Sequence, residues 1–157
     1  MNVTDREFQA GDEVIFQALN EAWIRTYFKL EDKDREILGD PKRNILDCGG
    51  HIYFAIDPET GSILGCCALV AIREDAFEVA KMVVQENRRG QGIGRKLLRA
   101  VINAARSLGA NYLYLETNDA LQNAIDLYRS EGFTQLQSQD MKPLPHTRVN
   151  VVMDRHL

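Results

Sequence analysis

The segment Arg88-Arg89-Gly90-Gln91-Gly92-Ile93-Gly94-Arg95 joins an apolar run to an amphipathic one and holds three glycines at alternate positions. Glycine lets backbone come close to a ligand, and the start of a helix presents unpaired N–H groups with partial positive charge. Together these features suit a pyrophosphate. The charges agree: Arg88, Arg89, Arg95, Lys96, Arg99 and Arg106 fall in a stretch with no Asp or Glu between Asn87 and Leu115. A glycine-rich turn before a solvated basic helix face has the same composition, so the finer spacing has to discriminate. Counted from Gly90, the dinucleotide fingerprint G-x-G-x-x-G would put its last glycine at Arg95. A Walker loop needs Gly-Lys followed by Ser or Thr, whereas Lys96 stands between Arg95 and Leu97. The glycine loop of kinases fails by the same count.

The elements that must position this loop are legible in part. Val3–Phe8 reads as a short first strand. From Asp12 to about Phe28 the apolar residues Val14, Ile15, Ala18, Leu19, Ala22, Trp23 and Tyr27 keep helical spacing, which predicts a helix with that face buried. Mixed charges follow in Lys29–Glu36, then Asp40 before Pro41 predicts a capped short turn stopped by Gly49-Gly50. His51–Ile56, Ser62–Ile72 and Ala76–Val84 read as three antiparallel strands joined by polar turns. A helix from Ile93 stopped by Gly109 and a strand Asn111–Thr117 complete a parallel crossover. A second helix, capped by Asn118 or Asp119 and stopped by Gly132, precedes strands near Phe133–Gln139 and Arg148–Met153. The fold class expected is therefore α/β: one mixed, mostly antiparallel sheet of six or seven strands flanked by helices.

The chain has 157 residues, 45% hydrophobic and 27% charged, values that predict one globular domain over residues 1–157 and exclude disordered, collagenous or rod-like chains. Its 19 basic and 23 acidic residues give a net charge of −4, which argues against nucleic acid or anionic membrane as a partner through overall charge. No apolar run approaches a bilayer span, and the first residues lack a signal pattern, so a cytoplasmic location is expected. Cys66 and Cys67 are adjacent, and a strand would turn them to opposite faces; the three cysteines read as reduced, buried thiols. Metal chelation has little support: there is no C-x-x-C, and His51, His146 and His156 are scattered.

Arg89-Gly90-Gln91-Gly92-Ile93-Gly94 resembles the R/Q-x-x-G-x-G/A loop of the GNAT acetyltransferases, which use acetyl-CoA. Lys81-Met82-Val83-Val84 before it looks like the strand that lines the pantetheine arm in that family. Independently, Asn123 to Phe133, with Tyr128 and Gly132, is similar to the family's second conserved helix and its Y-x-x-x-G-F ending. The resemblance covers the C-terminal half of the core; the first fifty residues and the last strands are not diagnostic. It implies a GNAT fold, acetyl-CoA as cosubstrate, and a cofactor site formed by Met82, Val83, Val84, Arg88, Arg89, Gly90, Gln91, Gly92, Ile93, Gly94, Arg95, Asn123 and Tyr128.

Acetyl transfer to an amine asks for a neutral nucleophile, stabilisation of an oxyanion and a proton for the departing thiolate. The resemblance gives the proton to Tyr128, whose phenol stays protonated at neutral pH. Taken alone, Tyr128 equally continues an apolar stripe with Leu121, Ala124 and Ile125. The family's oxyanion donor is a backbone N–H, here near Val83 or Val84. Glu78 and Glu116 are the acids that the proposed strands place near the cleft, and either, or an ordered water, is the candidate base; strand-end carboxylates are also commonly just solvated or paired. The family mechanism is direct attack in a ternary complex, which leaves the cysteines no role. The acceptor side should be shaped by Trp23–Glu36 and the loop Met141–Thr147. Within it the acids Glu31, Asp32, Asp34 and Glu36 either attract a cationic amine or form a solvated helix face, the reading favoured for mixed charge runs. A small-molecule amine is favoured over a protein acceptor, and dimers are common among similar proteins, which makes a homodimer one expected assembly. The rival reading is a non-catalytic acyl-CoA-binding sensor or partner subunit.

Overall fold

The computed structural model describes residues 3–137 and 148–157. In chain order its elements are β1 (Thr4–Glu7), α1 (Glu13–Tyr27), α2 (Asp32–Gly39), a π-helical turn (Lys42–Leu46), β2 (His51–Ile56), β3 (Ile63–Arg73) and β4 (Ala76–Val84). A 3-10 turn (Glu86–Arg88) leads to α3 (Ile93–Ser107), β5 (Tyr112–Thr117), α4 (Gln122–Ser130), β6 (Thr134–Gln135) and β7 (Val151–His156). The seven strands form one sheet in the order β1-β2-β3-β4-β5-β7-β6. Every neighbouring pair is antiparallel except β4 and β5, which are parallel and joined through α3. This is the α/β arrangement that the sequence predicts.

Strand alternation sorts the sheet's side chains into two apolar layers. Tyr53, Cys67, Leu69, Val79 and Leu113 pack with Leu97, Leu98 and Val101 of α3 and Ile125 of α4. Ile52, Phe54, Cys66 and Ala68 pack on the other face with Phe16 and Ile24 of α1 and Leu38 of α2. Cys66 and Cys67 thus lie on opposite faces, both buried and reduced. Cys48 departs from the expectation: it is exposed, just after the π-helical turn, with Sγ 3.4 Å from the Arg43 carbonyl oxygen.

Several expectations need correction. The buried line of α1 is Phe16, Asn20 and Ile24, whereas Val14 is 75% exposed and Tyr27 46%. Asn20 is tolerated inside because its amide donates to the Phe16 carbonyl at 2.9 Å and reaches Cys66 Sγ at 3.5 Å. The charged stretch after α1 folds into α2, with Asp32, Lys33, Arg35 and Glu36 exposed and only Asp34 among its charged residues buried; it is opened by a capping box in which the Glu31 N–H donates to Asp34 Oδ2 at 2.9 Å. α4 begins at Gln122, without a side-chain cap from Asn118 or Asp119. Asn118 instead accepts the Ala120 N–H at 2.8 Å in a local turn and donates to the Arg148 carbonyl at 2.6 Å. The last strand starts three residues later than expected, at Val151, and runs to His156. The strand expected over Phe133–Gln139 is reduced to Thr134–Gln135, and its last two residues, with Met141–Thr147, lie outside the described residues.

Candidate active site

β4 and β5 share only three paired positions, Ala76 with Tyr112, Phe77 with Leu113 and Glu78 with Tyr114. Beyond Glu78 the strands part, although β4 continues to Val84 and β5 to Thr117. The parting is helped by a β-bulge in β4: Ala68 of β3 opposes Ala80 and Cys66 opposes Val83, so Lys81 and Met82 share the single partner position of Cys67. Lys81 sits there at φ +55, the one non-glycine residue with positive φ among the described residues.

The gap opens into a cleft of about 920 Å³. Its floor carries Glu78, Met82, Val83 and Val84 of β4. At one end stand Arg88, Arg89, Gly90, Gly92, Ile93 and Gly94, and the far wall is made by Glu116 with Asn123 and Tyr128 of α4. Gln91 and Arg95, also expected at the cofactor site, do not line the cleft. Arg95 turns to the outer surface of α3, where its guanidinium meets Ser130 Oγ at 2.7 Å and Glu131 at 3.1 Å beside Arg99.

The loop owes its shape to its glycines. Gly90 and Gly92 adopt φ +79 and +77, conformations that side chains rarely accept, and a Cβ on either would point into open space. Gly92 is the residue before α3, and no side chain caps that helix start, so its first N–H groups remain available to an anion. Arg89 spans the cleft mouth: its guanidinium stacks over Tyr27 at 5.6 Å and donates to the Tyr27 hydroxyl at 2.6 Å.

Tyr128 packs against the α3-side core and also lines the cleft. α4 ends in a left-handed turn in which the Phe133 N–H donates to the Tyr128 carbonyl and the Gly132 N–H to that of Arg129, each at 3.0 Å, with Gly132 at φ +94. The accompanying apolar contact is the edge of Tyr128 against Phe133, ring centres 6.0 Å apart. The Y-x-x-x-G-F spacing is therefore a helix-ending motif, and it also sets Tyr128 at the cleft wall. Burial, with a smaller push from Cys67, raises the phenol above its ordinary range, so it is a neutral O–H near pH 7.

Glu78 is the most perturbed carboxyl of the cleft. Burial first, then the neighbouring charge of Glu116, push it up to about 7, against a smaller opposing pull from Lys81. Glu116 is held by the Tyr114 hydroxyl, which donates to Oε2 at 2.9 Å.

Comparison with known proteins agrees with this geometry. The model of the acetyltransferase (GNAT) family matches residues 14–133. The chain belongs to the GNAT family. A curated relative, the IAA acetyltransferase of Azospirillum brasilense, is 39% identical over 83 residues, covering 52% of this chain and 54% of the relative. The chain thus matches about half the length of that relative. Among solved structures, a GNAT acetyltransferase of Staphylococcus aureus superposes with a TM-score of 0.86 at 22% identity over 99% of both chains. An acetyltransferase of Salmonella typhimurium, determined with acetyl-CoA, gives 0.76 at 20% identity over 99% of this chain and 94% of its own. Both likenesses are of fold.

The sequence reading of this GNAT chain gave no site role to Lys81 or Arg148, and named Asp34 only among the acids of the acceptor side. Asp34 of α2 is fully buried: its carboxylate takes Arg148 Nη2 at 2.6 Å on Oδ1 and Nη1 at 2.8 Å on Oδ2. Arg148 Nη1 also reaches Glu31 at 3.0 Å, and Lys81 Nζ lies 3.5 Å from Asp34 Oδ1. Despite its burial, these cations and the Glu31 N–H hold Asp34 down at about 2. Lys81 and Arg148 both line the cleft. The E-x-x-D spacing of Glu31 and Asp34 is a capping-box pattern and signals α2; nothing local announces that Arg148, 114 residues away, completes the cluster.

Proposed function

We propose that this chain is an N-acetyltransferase that moves an acetyl group from acetyl-CoA to a primary amine by direct attack in a ternary complex. One observation carries the reading: a parted β4 and β5 with a glycine-rich helix start at one end, and a raised carboxyl and a neutral phenol on its walls. When bound, acetyl-CoA supplies an activated thioester acyl group. The N–H groups at the start of α3 receive its phosphates, with Arg88, whose guanidinium lies 3.8 Å from Asp57, at the same end of the cleft, and Asn123 on the cleft wall bonds an amide of its arm. Glu78 takes the proton from the attacking amine, a task for which a carboxyl near neutrality is matched. Glu116 keeps Glu78 raised rather than serving as the base itself. A backbone N–H near Val83 or Val84 is the oxyanion donor, and Tyr128 gives its proton to the departing thiolate. The chain acts as one domain, in the cytoplasm, on an amine of small-molecule size; no described helix is long and apolar enough to cross a membrane.

Two measurements test this. Acetyl-CoA at ~100 times its dissociation constant adds about 2.7 kcal/mol and is expected to raise the melting midpoint by roughly 5 to 10 °C, where NAD and ATP do not. Free thiol is then expected above background when an amine panel is added. A melt shift without thiol release from any amine would favour the non-catalytic acyl-CoA-binding reading.

A further inference from the structure

Uninterrupted alternation along β4 would send Lys81 to the α3 face, as it sends Phe77 and Val79. The bulge changes that. Met82 takes the α3 face, and Lys81, in left-handed backbone, turns with Glu78 and Ala80 toward α1 and α2, where it meets Asp34. A lysine held in a sparsely populated conformation at the centre of a cleft asks for a functional reason.

The hydrogen bonding of its ammonium is incomplete. The Lys81 side chain is 12% exposed, and its one ion-pair partner among the described residues is Asp34 Oδ1 at 3.5 Å. Asp34 is already occupied by two Arg148 nitrogens and the Glu31 N–H. Three N–H donors therefore share one long contact, in a place where buried polar groups are normally satisfied. Such a cation also works against a plain amine, which approaches as a cation itself, unless the acceptor brings an anion of its own.

We propose that Lys81 is a specificity residue that selects acceptors carrying a carboxylate beside the amine, that is, amino acids rather than simple amines. This rests on the acetyltransferase reading above. The amine end meets Glu78 of β4 and Glu116 of β5, and the carboxylate end meets Lys81 of β4, so the cleft presents opposite charges to the two ends of the acceptor. Glu78 and Lys81 lie on the same strand and both line the cleft. Arg148 is closed off by its bidentate pairing to Asp34 and fixes the carboxylate against which Lys81 rests.

The test measures thiol release by the wild-type chain, with saturating acetyl-CoA, for three matched series: amino acids, their carboxamides, and the amines lacking the carboxyl group. One charge-assisted hydrogen bond is worth about tenfold or more, so the best amino acid should exceed its carboxamide and its decarboxylated amine by at least that ratio in kcat/KM, mainly through KM. Lys81→Met, shown to be folded by its melting curve, should bring the ratio toward one, and Lys81→Arg should keep part of it. Equal rates across the three wild-type series would overturn the inference without needing any variant. So would a Lys81→Met chain that keeps the preference, or one that loses all three series alike. Release from peptide amines alone would overturn it and leave the acetyltransferase reading standing. Absence of release from every amine removes that reading, and the inference with it.

Discussion

Tyr114 stands opposite Glu78 at the last paired position of β4 and β5, and its hydroxyl reaches along its own strand to Glu116 at 2.9 Å. The two carboxyls therefore flank the point where the sheet opens, one held by a hydrogen bond, the other raised to about 7 by burial and by its neighbour. A base must be ionised to accept a proton, so kcat/KM is expected to fall as pH drops below about 7, tenfold per unit, with Glu78→Gln losing that limb. Glu116→Gln removes the like charge and should move the limb to lower pH. A limb that Glu116→Gln leaves in place would assign the proton to another group.

Tyr128→Phe removes only a hydroxyl, because the ring contact with Phe133 and the backbone turn at Gly132 are kept. Turnover should drop by about 100-fold, the ordinary worth of a positioned acid, while acetyl-CoA affinity stays nearly intact. Unchanged turnover would return Tyr128 to a purely structural role.

Gly92→Val tests the loop. The left-handed backbone at φ +77 makes any side chain costly there, by about 1–2 kcal/mol, and the added methyls enter the space left open before α3. Gly109→Val is the control, since Gly109 has φ +87 at the other end of the same helix. Both variants should melt lower, and only Gly92→Val should also lose the stabilisation by acetyl-CoA. Equal stabilisation of the two would place the anion elsewhere.

Asp34→Ala leaves Arg148 and Lys81 buried without their shared carboxylate. Breaking a buried ion pair from one side costs about 3–5 kcal/mol, so the melting midpoint should fall by roughly 10 °C. The pH dependence has a definite sign. The folded carboxyl sits at about 2, below its ordinary value of 3.8, so its contribution is present above pH 4 and is lost as pH falls through 2. Acid unfolding of the wild type should accordingly narrow its lead over Asp34→Ala in that window; a constant gap from pH 5 to 2 would contradict the pairing.

Much of the fold was legible because apolar period and punctuation coincide. Gly109 ends α3 and Gly132 ends α4, and the three hairpin strands follow their polar turns. What was not legible depends on distance in the chain. The α1 stripe was read one position off because Asn20 occupies its centre, a polar residue whose amide is satisfied only by Phe16 and Cys66 of the folded structure. Asp34 looked like one more charge in a polar run, since its cations come from β4 and from the segment before β7. Lys81 was invisible as anything but a strand residue, because a bulge is a property of two strands in register and not of one. The glycine loop was read correctly as a turn into a helix, yet spacing alone did not tell that Arg95 faces outward to Glu131.

The three-rung pairing of β4 and β5 gives this sheet an edge in its own middle. Ordinary edges lie at the rim and must be guarded against other chains. This one lies in a cleft lined by α1 and α4, and its backbone groups beyond Glu78 still require partners on that side. An extended ligand bearing amides can serve as the absent strand, and a molecule seated there joins two half-sheets as well as occupying a pocket. Occupancy should therefore make the β1–β4 half and the β5–β7 half unfold as one cooperative unit, with hydrogen exchange slowed in both.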